Sequence, residues 1–546
     1  MQFAGRVRKR IRGDESKRDH QRTQALYAVS ARFAPDVTLD ELDLAPEPDT
    51  ALGEPDLTPD LPEPEVEATP TLAPDKKRIK YARSESPASP EPVIDEPDLT
   101  DLHLLETPAK TKRGLLNRSL QWFSASYLLL VLVGILYYRT TATHLLRDDP
   151  IFAVYGLIVA AYLLSRFVIS IFYRPHPDVG FEPNIAIVVP GFNEEEDVGN
   201  SLKSLLDVDY PIDKLQIVSV DDGSTDNTLA AMQATAAECD GRIEVIGFPE
   251  NRGKRAAMAA GIRATDAEFI VVVDSDSMLA PDGLRKIVQG FANPKVGAIC
   301  GHTDVANADE NWLAKMQAVR YYIAFRVMKA AESFFGCVSC CSGCFSAYRR
   351  AAVMPKLDWW EFQTFFGTPS TFGDDRSLTN CVLRDWRVTY QRTALAHTIV
   401  PIGFYKFMRQ QARWKRSWAR EALYLAKLIW RKPLPAQFAV YVSIMLPIIG
   451  PLVAFHALVW APLTSQGFSA LYPIGIYTMA LTYGLYYAAC QPRYNARWWF
   501  GIMFVGFYVV FLLWQTYWAI FTIRTAKWGT RPATAGMNVP IAEGES

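Results

Sequence analysis

The chain has 546 residues, 49% hydrophobic and 21% charged, with a net charge of -1, so it is long enough for several parts with real cores. That composition excludes a collagen-like chain and a wholly disordered one, and eight unevenly placed cysteines make no disulfide framework. A mean hydropathy of +0.01 is apolar for a soluble enzyme, and the apolar residues fall in long runs, which points to a membrane.

Residues 1–118 open with a basic stretch, Arg6 to Arg22, then turn acidic and Pro-rich. Such a segment buries too little apolar surface to offset its ordering entropy and reads as a disordered, solvated tail. No apolar core follows the basic residues before position 119, so it is not read as a signal peptide. Two runs of membrane length come next, 119–138 and 151–173, within a segment 119–175. Lys110, Lys112, Arg113 and Arg118 precede the first, which places the N-terminus in the cytoplasm and returns the chain there near residue 175.

Residues 176–402 contain no such run and read as a soluble α/β domain. The stretches 185–189, 215–220 and 269–273 are short, apolar and rich in β-branched residues, as strands buried on both faces are. Helical stretches at 197–206 and 228–239 alternate with them, which predicts a doubly wound sheet with its ligands at the carboxyl ends of the strands. Residues 403–432 read as basic amphipathic interface helices. Trp414, Trp418, Leu425 and Ile429 lie on one side, and Lys406, Arg409, Lys415, Arg416 and Arg420 mark a basic surface. The segment 433–527 carries apolar runs at 434–460, 468–490 and 498–523, and 528–546 closes the chain.

Chemistry concentrates in a few motifs. Asp221-Asp222-Gly223-Ser224 ends a strand, where carboxylates can accept from a base or ribose; read alone it is also a helix-capping turn. In Asn251-Arg252-Gly253-Lys254-Arg255 the glycine permits close backbone approach, and Lys254 and Arg255 suit a diphosphate. Asp274-Ser275-Asp276 ends an apolar strand, and its two acids can share Mg²⁺ or Mn²⁺ with substrate phosphates. Asp374-Asp375-Arg376 supplies a carboxylate able to deprotonate a sugar hydroxyl, or else a salt-bridged turn. Gln410, Arg413 and Trp414, at i, i+3 and i+4, share a helix face that offers a stacking platform and donors. Four cysteines between Cys337 and Cys344 are too close together for a tetrahedral zinc site and read as packing around Ser342-Gly343, in a substrate-lining loop.

The order DDGS, NRGKR, DSD, SGCFSAYRR, GDDRSLTN, QQARW, WGTR resembles the processive family 2 glycosyltransferases, most closely the bacterial hyaluronan synthases, over about 119–531. One departure is Cys344-Phe345, where such synthases often carry Pro-Leu. The resemblance implies a GT-A domain, with its doubly wound sheet, joined on the cytoplasmic side to an α-helical transmembrane channel in the plasma membrane. It implies that Asp221, Asp222 and Lys254 hold the uridine diphosphate and that Asp276, helped by Asp274, holds Mg²⁺ or Mn²⁺. Asp375 would then be the general base, with Asp374 the second candidate. Gln410, Arg413 and Trp414 would line the acceptor and diphosphate sites, and Trp528 and Arg531 a loop closing over the nucleotide.

The expected partners are UDP-sugar donors, a polysaccharide acceptor and the lipid bilayer, without nucleic acid. The polymer expected is hyaluronan, from UDP-GlcNAc and UDP-glucuronate, with a chitin or chitooligosaccharide synthase using UDP-GlcNAc alone as the alternative. A non-catalytic scaffold or transporter fits less well, because the acidic motifs are intact. Three full crossings after the catalytic domain would put WGTR outside the cell, so one run, taken to be 498–523, is expected to re-enter or lie in the interface.

Overall fold

The computed structural model describes residues 150–525, except 240, 465–470 and 492–495, together with scattered positions between 122 and 137. The tail 1–118, most of the run 119–138, and Trp528 and Arg531 lie outside the described residues.

The strands are β1 (Ile185–Gly191), β2 (Leu215–Asp221), β3 (Ile243–Gly247), β4 (Phe269–Val272), β5 (Ser277–Leu279), β6 (Val296–Val305), β7 (Ser346–Arg349), a hairpin of β8 (Thr364–Phe365) and β9 (Thr368–Pro369), and β10 (Arg387–Thr398). The main sheet runs in the order β3-β2-β1-β4-β7-β6-β10-β5. Its first four strands are parallel, and β1 and β4 are buried along their whole length, as their unbroken apolar sequences require. Helices α1 (Pro150–Phe172), α2 (Val198–Leu206), α3 (Thr228–Ala237) and α4 (Lys254–Arg263) include the crossovers expected between such strands. Strand order reverses between β1 and β4, which creates the crevice at their carboxyl ends.

Beyond β4 the sheet is mixed rather than doubly wound throughout. β7 is antiparallel to both β4 and β6, and β5 is antiparallel to β10. An antiparallel strand receives its preceding loop at the edge where parallel strands end, so residues 340–345 arrive beside the loop that comes after β4.

Helices α5 (Gly283–Val288), α6 (Trp312–Ile323) and α7 (Asp374–Leu383) flank the sheet, and Asn311 caps α6 by accepting from the Ala314 N–H. α6 runs on into a π turn at Ala324–Lys329. The interface segment forms one long helix, α8 (Phe404–Leu428). It does not present one continuous apolar face and one basic face to a surface. Leu425 and Ile429 join the buried cluster that holds Trp360 and Leu378, and Arg420 is buried, donating to the Phe372 carbonyl at 2.7 Å.

The apolar helices are α1, α9 (Leu434–Phe455), α10 (Leu471–Cys490), α11 (Trp498–Phe507) and α12 (Gln515–Phe521). Val154–Phe172 and Leu434–Leu463 are long and apolar enough to cross a membrane. Trp498–Leu512 and Gln515–Phe521 qualify as a pair bent by 42°, a broken span or a re-entrant segment. The break comes after a π turn at Tyr508–Leu512, with neither proline nor glycine in it. Lys415 of α8 donates to the Leu512 carbonyl and lies 3.3 Å from Thr516 Oγ1, which satisfies a carbonyl beside the break.

Candidate active site

At the carboxyl end of β2 the two aspartates have different work. Asp222 Oδ1 accepts the Arg252 and Gly253 amides at 2.9 and 3.0 Å, and Oδ2 accepts Asn251 Nδ2 at 3.0 Å. It thereby pins the NRGKR loop, in which Gly253 adopts φ +96, closed to most side-chain-bearing residues. Asp221 lies behind it, almost wholly buried. Its Oδ2 accepts the Ser224 amide at 3.1 Å, while its Oδ1 has no protein partner.

The loop so held starts α4, and its first residue faces the crevice. Lys254 Nζ donates to Asp274 Oδ1 at 2.5 Å. Burial opposes the charge on Lys254, but Asp274 outweighs it and leaves the pKa raised. Arg255, the next residue, turns into the core. Its Nε donates to Asp374 Oδ1 at 2.7 Å, and its Nη1 donates to the Trp360 carbonyl and Gln363 Oε1. The sequence pairs Lys254 and Arg255 as diphosphate ligands; the structure separates them.

Asp276 accepts from Ser277 Oγ at 3.1 Å and lies 3.5 Å from Thr398 Oγ1. Burial, then the charges of Asp274 and Glu194, push its pKa up to about 7, as expected of a carboxylate short of positive charge. Among the described residues no three His, Cys, Asp or Glu are grouped to hold a metal. Asp274 and Asp276 are two hard oxygen donors at this edge, and a divalent cation held by them would need further oxygens, such as a substrate's, to fill its shell. Gly343, from the loop before β7, abuts this pair: a Cβ there would stand 2.9 Å from Asp274 Oδ1 and 3.0 Å from Oδ2. Gly343→Ala is expected to displace Asp274 and disturb its pairing with Lys254; a crystal structure of the variant with Asp274 unmoved would show that it needs no such clearance.

Asp375 is the second residue of α7, with Oδ1 accepting the Arg376 amide at 2.7 Å and Oδ2 3.4 Å from Cys340 Sγ. Both acids line the cavity, but Asp374 is tied down by Arg255. Of the two acids, Asp375 is the one without an ion pair to an arginine side chain in the core.

These residues, except Asp221 and Arg255, line one cavity of about 790 Å³. Asp222, Lys254, Asp274 and Asp276 line one part of it, Asp375 another, and Gln410, Arg413 and Trp414 of α8 a third. Pro447 of α9, Leu512 and Thr516 also contribute to the wall. Gln410 Oε1 is buried without a protein partner, as a group awaiting a ligand donor would be. Cys340, Ser342, Gly343 and Cys344 line the cavity, in keeping with the expected substrate-lining loop. Sequence reasoning missed Arg320, Tyr321 and Lys329 of α6 and its π turn, which also line it. The available signal was the cations inside an apolar helical stretch, Arg320, Arg326 and Lys329.

Residues 183–417 match a family model described as "Glycosyltransferase like family 2". The chain is 31% identical to the hyaluronan synthase of Streptococcus pyogenes over 385 residues, 69% of this chain and 90% of that one. It is 35% identical over 288 residues to an N-acetylglucosaminyltransferase of Rhizobium meliloti (strain 1021), 51% of this chain and 67% of that protein. A solved mannosyltransferase from Pyrobaculum calidifontis, in complex with GDP-Man and Mn²⁺, aligns with a TM-score of 0.46 and 21% identity. That alignment covers 66% of this chain and 98% of the other.

Proposed function

The chain belongs to glycosyltransferase family 2, and from that premise we propose that it is a membrane-embedded processive synthase of hyaluronan. Its α/β unit is a GT-A-like glycosyltransferase domain with a mixed sheet. In this reading the domain lies on the cytoplasmic face of the plasma membrane, takes UDP-GlcNAc and UDP-glucuronate in turn, and passes the polymer outward between the apolar helices. The observation that carries it is the shared cavity, lined by the acids and Lys254 at the sheet edge and by Pro447, Leu512 and Thr516 of the apolar segments.

The acceptor's hydroxyl oxygen attacks the anomeric carbon of the donor from the face opposite the diphosphate. Asp375 accepts the hydroxyl proton, the new glycosidic bond forms as the bond to the diphosphate oxygen breaks, and the configuration inverts. Trp414 offers the acceptor sugar a flat apolar face, while Gln410 and Arg413 hydrogen-bond its hydroxyls or the diphosphate. Asp221 and Asp222 bound the nucleoside end, and Lys254 sits at the diphosphate. Asp276 and Asp274 would hold Mg²⁺ or Mn²⁺, which supplies charge neutralisation for the departing UDP. Arg255 serves by fixing Asp374 and the start of α7. Trp528 and Arg531 are assigned to the closing loop by the resemblance alone.

Excess EDTA is expected to abolish UDP release, with recovery on adding Mg²⁺ or Mn²⁺, and Asp276→Ala is expected to lower kcat by about 10²-fold or more. Full activity in EDTA would remove the metal from the reading. The identity to an N-acetylglucosaminyltransferase favours a second reading, a chitin or chitooligosaccharide synthase using UDP-GlcNAc alone. Product made from each donor set, digested with hyaluronidase and with chitinase, separates the two. A polymer formed from UDP-GlcNAc alone and cut only by chitinase overturns the hyaluronan assignment.

A further inference from the structure

We propose that Trp359, Phe362 and Phe366, on the α/β unit, form an aromatic collar seated in the lipid headgroup layer beside the first turns of α9. This rests on the reading that α9 crosses a bilayer. The three rings are exposed by 52, 63 and 72%. Leu423 and Trp430, on α8 and just beyond it, add further exposed apolar surface. Clustered exposure of this kind marks an interaction surface rather than scattered surface hydrophobes.

A chain of contacts fixes its level along α9. The Trp359 ring meets the Tyr424 ring edge-on, with centroids 6.1 Å apart, and Tyr424 Oη donates to the Thr364 carbonyl at 3.4 Å. Two residues further along α8, the Ala426 carbonyl accepts from Tyr441 Oη at 3.0 Å. Tyr441 stands in the second or third turn of α9, about 10 Å along its axis. The hairpin and the end of α8 are thus level with the entry of a 30-residue apolar span, where Leu434 and Phe438 are exposed as well.

The charges around the rings suit headgroups. Asp358 and Glu361, the acids within this stretch, both pair with Arg263, at 2.6 and 2.7 Å. Arg524 lies over the Phe366 ring at 5.4 Å, and Arg431 over the Trp430 ring at 5.3 Å. Aromatic rings fringed by cations, at the end of an apolar span, are the makeup of a membrane-interface belt.

The test uses the full chain in lipid nanodiscs, with reactive native cysteines replaced. A nitrobenzoxadiazole label is placed at Phe366→Cys or Phe362→Cys, at Leu452→Cys on the exposed face of α9, and at Asp213→Cys on an exposed turn. The collar labels are expected to be quenched by headgroup-proximal spin-labelled lipid about threefold more than by chain-end spin label, and to resist iodide relative to Asp213→Cys. Iodide quenching equal to that at Asp213→Cys overturns the collar. So does protection from iodide without lipid quenching, which would instead mean a protein neighbour or a second copy of the chain. The Leu452→Cys label separates the two levels of the claim. If it is quenched by chain-end spin label and the collar labels are quenched by neither spin label, the collar alone falls. If it too escapes lipid, the membrane reading falls with it.

Discussion

Asp375→Asn is expected to abolish polymer synthesis, with a loss of about 10²–10⁴-fold in kcat, while UDP-sugar affinity stays within a factor of about two. The substitution keeps the shape of the side chain and removes only its basicity. In the proposed function the donor is held elsewhere: Lys254, Asp274 and Asp276 lie at the carboxyl edge of β4, while Asp375 stands at the start of α7. UDP release and calorimetric UDP binding, measured on the same preparation, would separate turnover from affinity. A variant that polymerises at near the parental rate would exclude Asp375 as the base. The obvious substitute, Asp374, is already engaged by Arg255 at 2.7 Å.

The second large effect concerns that ion pair. Arg255→Met is expected to destabilise the protein by about 3–5 kcal/mol, because it strands the Asp374 carboxylate in a buried site. Both side chains are only about one-twentieth exposed, so solvent cannot take over. Thermal unfolding and recovery of monodisperse protein would report the loss. Adding Asp374→Asn to the variant is expected to restore part of it, because the stranded charge is then gone. A well-folded Arg255→Met protein with a raised KM for the nucleotide sugar would return Arg255 to the diphosphate and refute the structural role.

Helix geometry explains why Lys254 faces the crevice while Arg255, its neighbour in sequence, turns into the core. The two are consecutive at the start of α4, and successive side chains on a helix point about 100° apart, so one can face the crevice while the other turns into the core. A cation count sees a pair, and only the sheet behind the helix decides which one faces the crevice. The acids were easier to read. Asp221, Asp222, Asp274 and Asp276 each come after an apolar β-branched run, and a parallel strand delivers the residues beyond its last rung to the carboxyl edge. The antiparallel entry of β7 was not legible, because it depends on pairing with β4 and β6 across long stretches of chain. Nor was the fate of Arg420, which looks solvated in a basic helix. It is held inside by the Phe372 carbonyl and ring, 48 residues away in sequence. The break near residue 513 carries no proline or glycine, so a pattern of breakers could not locate it.

Lys415 stands both in the cavity wall and beside that break. Burial first, then Arg320, lowers its pKa to about 7, so its charge is close to balanced at neutral pH. An amine that gives up one proton keeps two N–H groups and can still serve the Leu512 carbonyl and Thr516 Oγ1. The shape of the bend and the charge of the cavity are therefore separable properties, although one nitrogen carries both. A ligand in that cavity, neutral or anionic, would meet a wall whose charge can change while its geometry stays put.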